Sequence, residues 1–268
     1  MTTPPAGAEP APAKINLALH VRRRRADGYH ELETLFAFTR FGDRLEAREA
    51  DDWALRVTGP TAESAGPLAD NLVLRAARAF EAAAGGGRYA LLLDKQIPVA
   101  AGLGGGSADA GAALRLLNRL AGFPLTEAQL ESIAAGLGAD VPACVRSRTA
   151  IGTGVGDALR DAAPLTGMGV LLVNPRVAVP TGPVFRAWGG VDRGPLGMDW
   201  RQARNDLEAP AVSLQPVIAD VLAWLRALPG VTLARMSGSG ATCFALFEQA
   251  APAITPPEGW WAAPTELL

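Results

Sequence analysis

The sequence predicts a mixed α/β chain of two domains, and three observations carry that prediction. The first part is rich in strand-like alternation. A strand, a glycine-rich turn and an apolar helix then follow one another between Tyr89 and Leu120. After a glycine-punctuated stretch (Gly152, Gly154, Gly156), a second strand-led region begins at Met168. With 268 residues, 49% hydrophobic and 19% charged, the chain can bury a sizeable core and hold two compact domains.

Taken in order, residues 1–11 read as a loose tail, rich in Pro, Ala and Thr and without the basic start and apolar core of a signal peptide. Lys14 to Val21 alternates, with Ile15, Leu17, Leu19 and Val21 on one face and Lys14, Asn16, Ala18 and His20 on the other. That pattern predicts a half-buried strand. Arg22 to Arg25 with Ala26-Asp27-Gly28 reads as a solvated hairpin tip, and Tyr29 to Phe38 as the returning strand. Asp43 to Arg48 and Trp53 to Val57 look like two further strands, and Asn71 to Ala84 like a helix stopped by Gly85. Thr126 with Gln129 predicts a capping box. In the second region, Met168 to Val173 and Leu233 to Met236 read as strands and Gln215 to Leu228 as a helix; the prolines at 252, 256 and 257 preclude a regular helix over Gln249 to Gly259. The domain boundary is expected after residue 158.

The central stretch is Pro98 to Asp109. Glycines at a strand-to-helix turn let the backbone approach a ligand and adopt positive φ, and the following helix turns its open N–H groups and positive dipole end toward an anion. An ordinary connecting turn is the alternative. The Walker loop does not fit, because the chain contains no Gly-Lys, and the dinucleotide fingerprint fails at Ser107. Lys14 and Lys95 are the only lysines among 25 basic Lys and Arg residues, so a lysine marks a place where a compact ammonium is wanted, or else arises by chance. Asp140, in Gly138-Ala139-Asp140-Val141-Pro142, is either a helix N-cap or a shielded base held ionised by a lysine.

Several classes are excluded or disfavoured. A formal charge of −2 argues against a non-specific nucleic-acid binder, and no apolar run reaches membrane-spanning length. Cys144 and Cys243 read as buried free thiols of a reducing cytosol, and two cysteines with two histidines (His20, His30) make no metal-site spacing.

Together, Pro98 to Ser107 and Ser237 to Thr242 resemble the second and third motifs of the GHMP small-molecule kinases. Ala11-Pro12-Ala13-Lys14-Ile15-Asn16-Leu17, Arg25 to His30, Asp70-Asn71-Leu72, Gly102 to Ser107 and Gly138 to Pro142 are similar, more narrowly, to the branch that phosphorylates 4-diphosphocytidyl-2-C-methyl-D-erythritol in non-mevalonate isoprenoid synthesis. The resemblance implies a nucleotide-binding N-terminal domain (12–158) of the ribosomal-protein-S5-domain-2 type and a ferredoxin-like C-terminal substrate domain (159–268). It implies ATP and Mg²⁺ as cofactors, a cytoplasmic monomer or weak homodimer, and neither nucleic acid nor membrane as partner. The residues matching Lys14 and Asp140 would be the catalytic pair. Pro98, Ala101, Gly102, Leu103, Gly104, Gly105, Gly106 and Ser107 would hold the triphosphate, with Asn71 and Lys95 near the base. Tyr29, His30 and Phe185 would hold the cytosine, and Asn16 and Thr181 would lie near the substrate. No metal ligand is assigned, although Ser107 remains a candidate for Mg²⁺, and Gly105 and Gly106 stand where the wider superfamily usually has serines.

Overall fold

The structure, a computed structural model, describes residues 7–268. Of the expected tail, residues 1–6 lie outside the described residues, while Ala8 already opens the first strand. In chain order the elements are β1 (Ala8–Arg24), β2 (His30–Ala50), β3 (Ala54–Thr58), α1 (Leu72–Ala84), β4 (Arg88–Asp94), α2 (Gly105–Leu120), α3 (Glu127–Ala135), α4 (Val141–Arg146), β5 (Ala150–Gly154), β6 (Ala158–Asp161) and β7 (Gly169–Asn174). They continue with α5 (Thr181–Ala187), α6 (Glu208–Leu214), α7 (Val217–Arg226), β8 (Val231–Met236), β9 (Cys243–Phe247) and β10 (Trp261–Glu266). The mixed α/β architecture expected from the sequence is present, in two compact units. Residues 249–259 form no helix, as the prolines require.

One unit comprises the described residues up to 13 with 42–99 and 104–147. Here the second half of β2 runs antiparallel to β4, from Arg44 opposite Asp94 to Ala50 opposite Arg88, and β3 lies parallel on the other side of β4. Leu45, Leu91 and Leu93 are buried, as are Val73, Ala77 and Phe80 of α1 and Leu114 and Leu117 of α2. Small residues let the helices approach closely. A Cβ on Gly111 of α2 would stand 2.7 Å from the carbonyl carbon of Cys144 in α4, so only glycine fits there. Arg115, one turn further on, donates from Nη1 to Cys144 O (2.5 Å) and Ser147 Oγ (3.0 Å), which covers the C-terminal end of α4.

The other unit comprises 14–41, 100–103 and 148–268. The first half of β2 pairs antiparallel with β5, and β5 with β6, so the boundary expected after residue 158 cuts through β6 instead of a linker. A four-stranded antiparallel sheet in the order β10-β7-β9-β8 carries α5 to α7. Leu171 and Val173 of β7, Val184, Trp188, Ile218, Leu222 and Phe247 belong to its core cluster. Arg235 is buried and donates to four backbone carbonyls, of Leu17, Trp200, Arg201 and Ala203.

Two expectations need correction. β1 is buried on both faces, not half-buried: Lys14, Asn16 and His20 are each 3% exposed or less. Their polar atoms meet partners from distant segments, as His20 shows, with Nδ1 on Gly194 O (3.1 Å) and Nε2 accepting from Arg204 N (3.3 Å). Burial, and then Arg204, lowers the pKa of His20 and keeps it neutral. The segment Asp43–Arg48, expected as a separate strand, is the second half of β2. Gly42 allows the strand to pass β1, because a Cβ there would stand 2.3 Å from Ala11 O.

Candidate active site

Lys14 leads the polar face of β1. Its backbone N–H donates to Leu103 O (3.0 Å), its ammonium donates to Asn16 Oδ1 (2.9 Å), and Nζ lies 5.5 Å from the centre of the Phe36 ring. Period-two alternation puts Lys14 and Asn16 on one side of the strand. Asn16 Nδ2 donates to Thr34 Oγ1 (2.8 Å), which donates in turn to Ala18 O (2.7 Å). That chain sets the orientation of the Asn16 amide. Ser237 Oγ completes the group by accepting from Asn16 N (3.2 Å) and donating to Gly102 O (2.8 Å). Thr242 N donates to Ala101 O (3.1 Å), so the small-residue loop 237–242 grips residues 101 and 102 of the glycine turn.

The turn uses the freedom its glycines provide. Gly102 has φ +76°, Gly104 φ +63°, and even Ala100 stands at φ +54°. Gly104 is the N-cap of α2, which therefore begins at Gly105, three residues before the apolar run that opens at Ala108, and no side chain caps it. Its first-turn amides are accordingly a place for an anion. Ser107 is half-buried in that first turn, and Leu103 and Ala101 are buried.

Asn71 is the N-cap of α1, its side chain accepting from Val73 N (2.9 Å). Lys95 is 4% exposed, its ammonium paired with Asp43 and with Asp109 (2.8 Å). Burial opposes the charge on Lys95, but the two carboxylates outweigh it and its pKa is raised. Asp109 is pushed well above the ordinary carboxylate range by burial, with Asp43 adding to that push and Lys95 resisting it. Asp109 Oδ1 has no hydrogen-bond partner among the described residues.

Asp140 stands at the N-cap position of α4, as one of the two sequence readings expects, but with helical φ and ψ and with no side-chain hydrogen bond capping that helix. Pro142 sits in the first turn, where a missing N–H costs nothing. The carboxylate belongs to a different compact unit from Lys14.

His30 opens β2. Its ring lies 4.9 Å from Phe185 in a tilted pair and 5.7 Å from Trp188 edge-on, and its Nε2 is buried with no partner among the described residues. Burial, followed by Arg24, lowers its pKa, so the imidazole is neutral at pH 7. Tyr29 is 63% exposed beside it. Arg24 joins this region by donating to Arg186 O (2.9 Å) and Trp188 O (3.3 Å) at the end of α5. Thr181 starts α5 and its hydroxyl meets Ser239 Oγ (3.0 Å). The structure thus brings Lys14 and Asn16 together with Gly102, and His30 together with Phe185. Sequence reasoning missed Thr34, Trp188, Asp43 and Asp109. A polar residue flanked two positions away by Leu32 and Phe36 on one strand face, and an acid early in an apolar helix, were the signals available for Thr34 and Asp109.

The GHMP kinase N-terminal domain family matches residues 71–148 and the GHMP kinase C-terminal domain family residues 196–255. A 4-diphosphocytidyl-2-C-methyl-D-erythritol kinase of Rhizorhabdus wittichii is 58% identical over 249 residues, covering 89% of this chain and 85% of that protein. The chain belongs to the 4-diphosphocytidyl-2-C-methyl-D-erythritol kinase family. A second member of that family, from Novosphingobium aromaticivorans, is 54% identical over 94% of this chain and 90% of its own length. The crystal structure of a 4-(cytidine 5'-diphospho)-2C-methyl-D-erythritol kinase superposes with a TM-score of 0.78 at 36% identity, covering 97% of this chain and 98% of that one. A homoserine kinase from Cytophaga hutchinsonii shares the fold, with a TM-score of 0.70 at 18% identity over 100% of this chain and 96% of its own. As a member of a GHMP kinase family the protein is a phosphotransferase that uses ATP on a small-molecule acceptor. Among the described residues, no helix is long and apolar enough to cross a membrane.

Proposed function

We propose that the protein transfers the γ-phosphoryl group of ATP to the 2-hydroxyl of 4-diphosphocytidyl-2-C-methyl-D-erythritol. The observation that carries this reading is the 58% identity to a kinase of that name, sustained over 89% of the chain. The glycine turn and the first-turn amides of α2 hold the triphosphate. Asp140 accepts the proton of the tertiary alcohol, a contribution worth roughly 10²–10⁴-fold in rate. Lys14, its ammonium fixed by Asn16, offsets charge on the moving phosphoryl group. Asn16 and Thr181 contact the substrate, and Asn71 lies by the adenine.

A single hydroxyl in the first turn of α2, Ser107, fits Mg²⁺ of the kind held mostly by phosphate oxygens and water, and no group of three His, Cys, Asp or Glu exists among the described residues to cage a metal by protein alone. When bound, that ion would neutralise charge on the phosphate oxygens.

For the cytidyl end, Tyr29 supplies a flat face and His30 an imidazole whose Nε2 has no hydrogen-bond partner among the described residues. The purified protein, given ATP, Mg²⁺ and the cytidyl substrate, is expected to release the 2-phosphorylated product, with CMP or CDP competing. If no product forms, or neither nucleotide competes, the reading is wrong. His30→Ala is expected to raise KM for the cytidyl substrate about tenfold or more while KM for ATP stays unchanged. The neutral ring is the binding form, and its lowered pKa extends neutrality below 6.5. KM for the cytidyl substrate is therefore flat above that pH and rises only as pH falls through the lowered pKa; steady-state kinetics from pH 5 to 8 would check this.

A further inference from the structure

Lys95 is buried with its ammonium already taken up by carboxylates. Its ammonium has two carboxylate partners, its N–H donates to Thr58 O (2.7 Å), and its carbonyl accepts from Thr61 N (3.3 Å) and Thr61 Oγ1 (3.0 Å). What those contacts join is informative. Lys95 follows directly on β4, before the glycine turn, and Asp109 lies on α2, after it. On the near side, Asp43 Oδ1 also accepts from Gln96 N (2.5 Å) and Ile97 N (2.7 Å), so the approach to the turn is clamped from β2. On the far side, a Cβ at Gly105 would come within 2.9 Å of Lys95 Nζ and 3.1 Å of Ile97 Cγ2. The start of α2 therefore rests directly on the ammonium.

We propose that Lys95 is a positioning residue for the triphosphate: linked to Asp43 and Asp109, its ammonium ties the two ends of the glycine turn together and holds the first-turn amides of α2 in place, without touching the nucleotide. This rests on the reading that those amides hold the phosphates of ATP. The nearest alternative has the same side chain reading the adenine.

The test compares ATP, inorganic tripolyphosphate and adenosine as ligands of the intact enzyme. In Lys95→Met, KM for ATP and the inhibition constant of tripolyphosphate are expected to rise together, at least about tenfold, with adenosine inhibition unchanged and kcat at saturating ATP within about threefold. Asp109→Ala cuts only the far tether and leaves the pair with Asp43, so it should show the same pattern if Lys95→Met does not fold. Asp109→Asn keeps an acceptor for the ammonium and should restore values near those of the unaltered enzyme. The proposal is overturned if adenosine binding falls while tripolyphosphate is unaffected, or if Lys95→Met and Asp109→Ala lose thermal stability with KM for ATP unmoved. Failure of tripolyphosphate to compete in the unaltered enzyme would instead remove the phosphate reading of the turn, before any variant is made.

Discussion

Asp140→Asn is expected to lower kcat by roughly 10²–10⁴-fold while the affinity for ATP changes by less than about twofold. The substitution keeps the shape of the side chain and its capacity to hydrogen bond, but removes the basic oxygen. Because the Asp140 side chain does not cap α4, the helix loses no capping bond in the exchange. Single-turnover phosphorylation with ATP binding followed in parallel separates the outcomes. Turnover that survives intact would dismiss Asp140 as the base, and turnover lost together with ATP affinity would make it a binding group. The expected size also weighs two contributions: if positioning and charge dominate this phosphoryl transfer, the loss falls at the lower end of that range.

Gly102→Ala should be the most damaging change in the turn itself. The residue stands at φ +76°, where an L side chain costs roughly 1–2 kcal/mol. Its Cβ would also lie 2.5 Å from Ser237 O and 2.8 Å from Gly240 O, both backbone atoms that cannot swing aside. A loss of about 2–4 kcal/mol in stability is expected, within the range reserved for named steric mechanisms. Denaturant unfolding would measure it. The displaced turn should also disturb Lys14, whose N–H bonds to Leu103 O, so residual folded protein is expected to phosphorylate poorly. Gly106→Ala is the control, since a Cβ there meets nothing closer than Leu72 Cδ1 at 3.5 Å.

What could be read from the chain beforehand was what neighbouring residues decide. Thr126 caps α3 as its spacing to Gln129 indicates, in a full capping box. The glycine turn stood out because positive φ leaves a mark in composition. Misreadings came where distant partners decide. Lys14, Asn16 and His20 looked like a solvent face, yet each is buried because Phe36, Thr34, Ser237, Gly194 and Arg204 supply what water would have supplied. Residues 39–42 looked like a gap between two strands, and β2 continues through them to Asp43, whose carboxylate is held by Lys95 and two backbone amides. The candidate site divides the same way. Its glycines and lone acid were visible, and the carboxylates that occupy Lys95 were not, since 52 residues separate Lys95 from Asp43 along the chain.

The unit that contains Lys14 is assembled from residues 14–41, 100–103 and 148–268, so it is not a contiguous half of the chain. Cutting after residue 158 would strip Leu19 and Val21 of β1 from the apolar cluster they share with Leu171, Val173 and Ile218, leaving apolar surface open to self-association. Exchange of acceptor preference with another relative would consequently have to move the N-terminal hairpin and the C-terminal region as a single block. Crossovers placed at the borders of the two matched family segments would separate pieces that fold together.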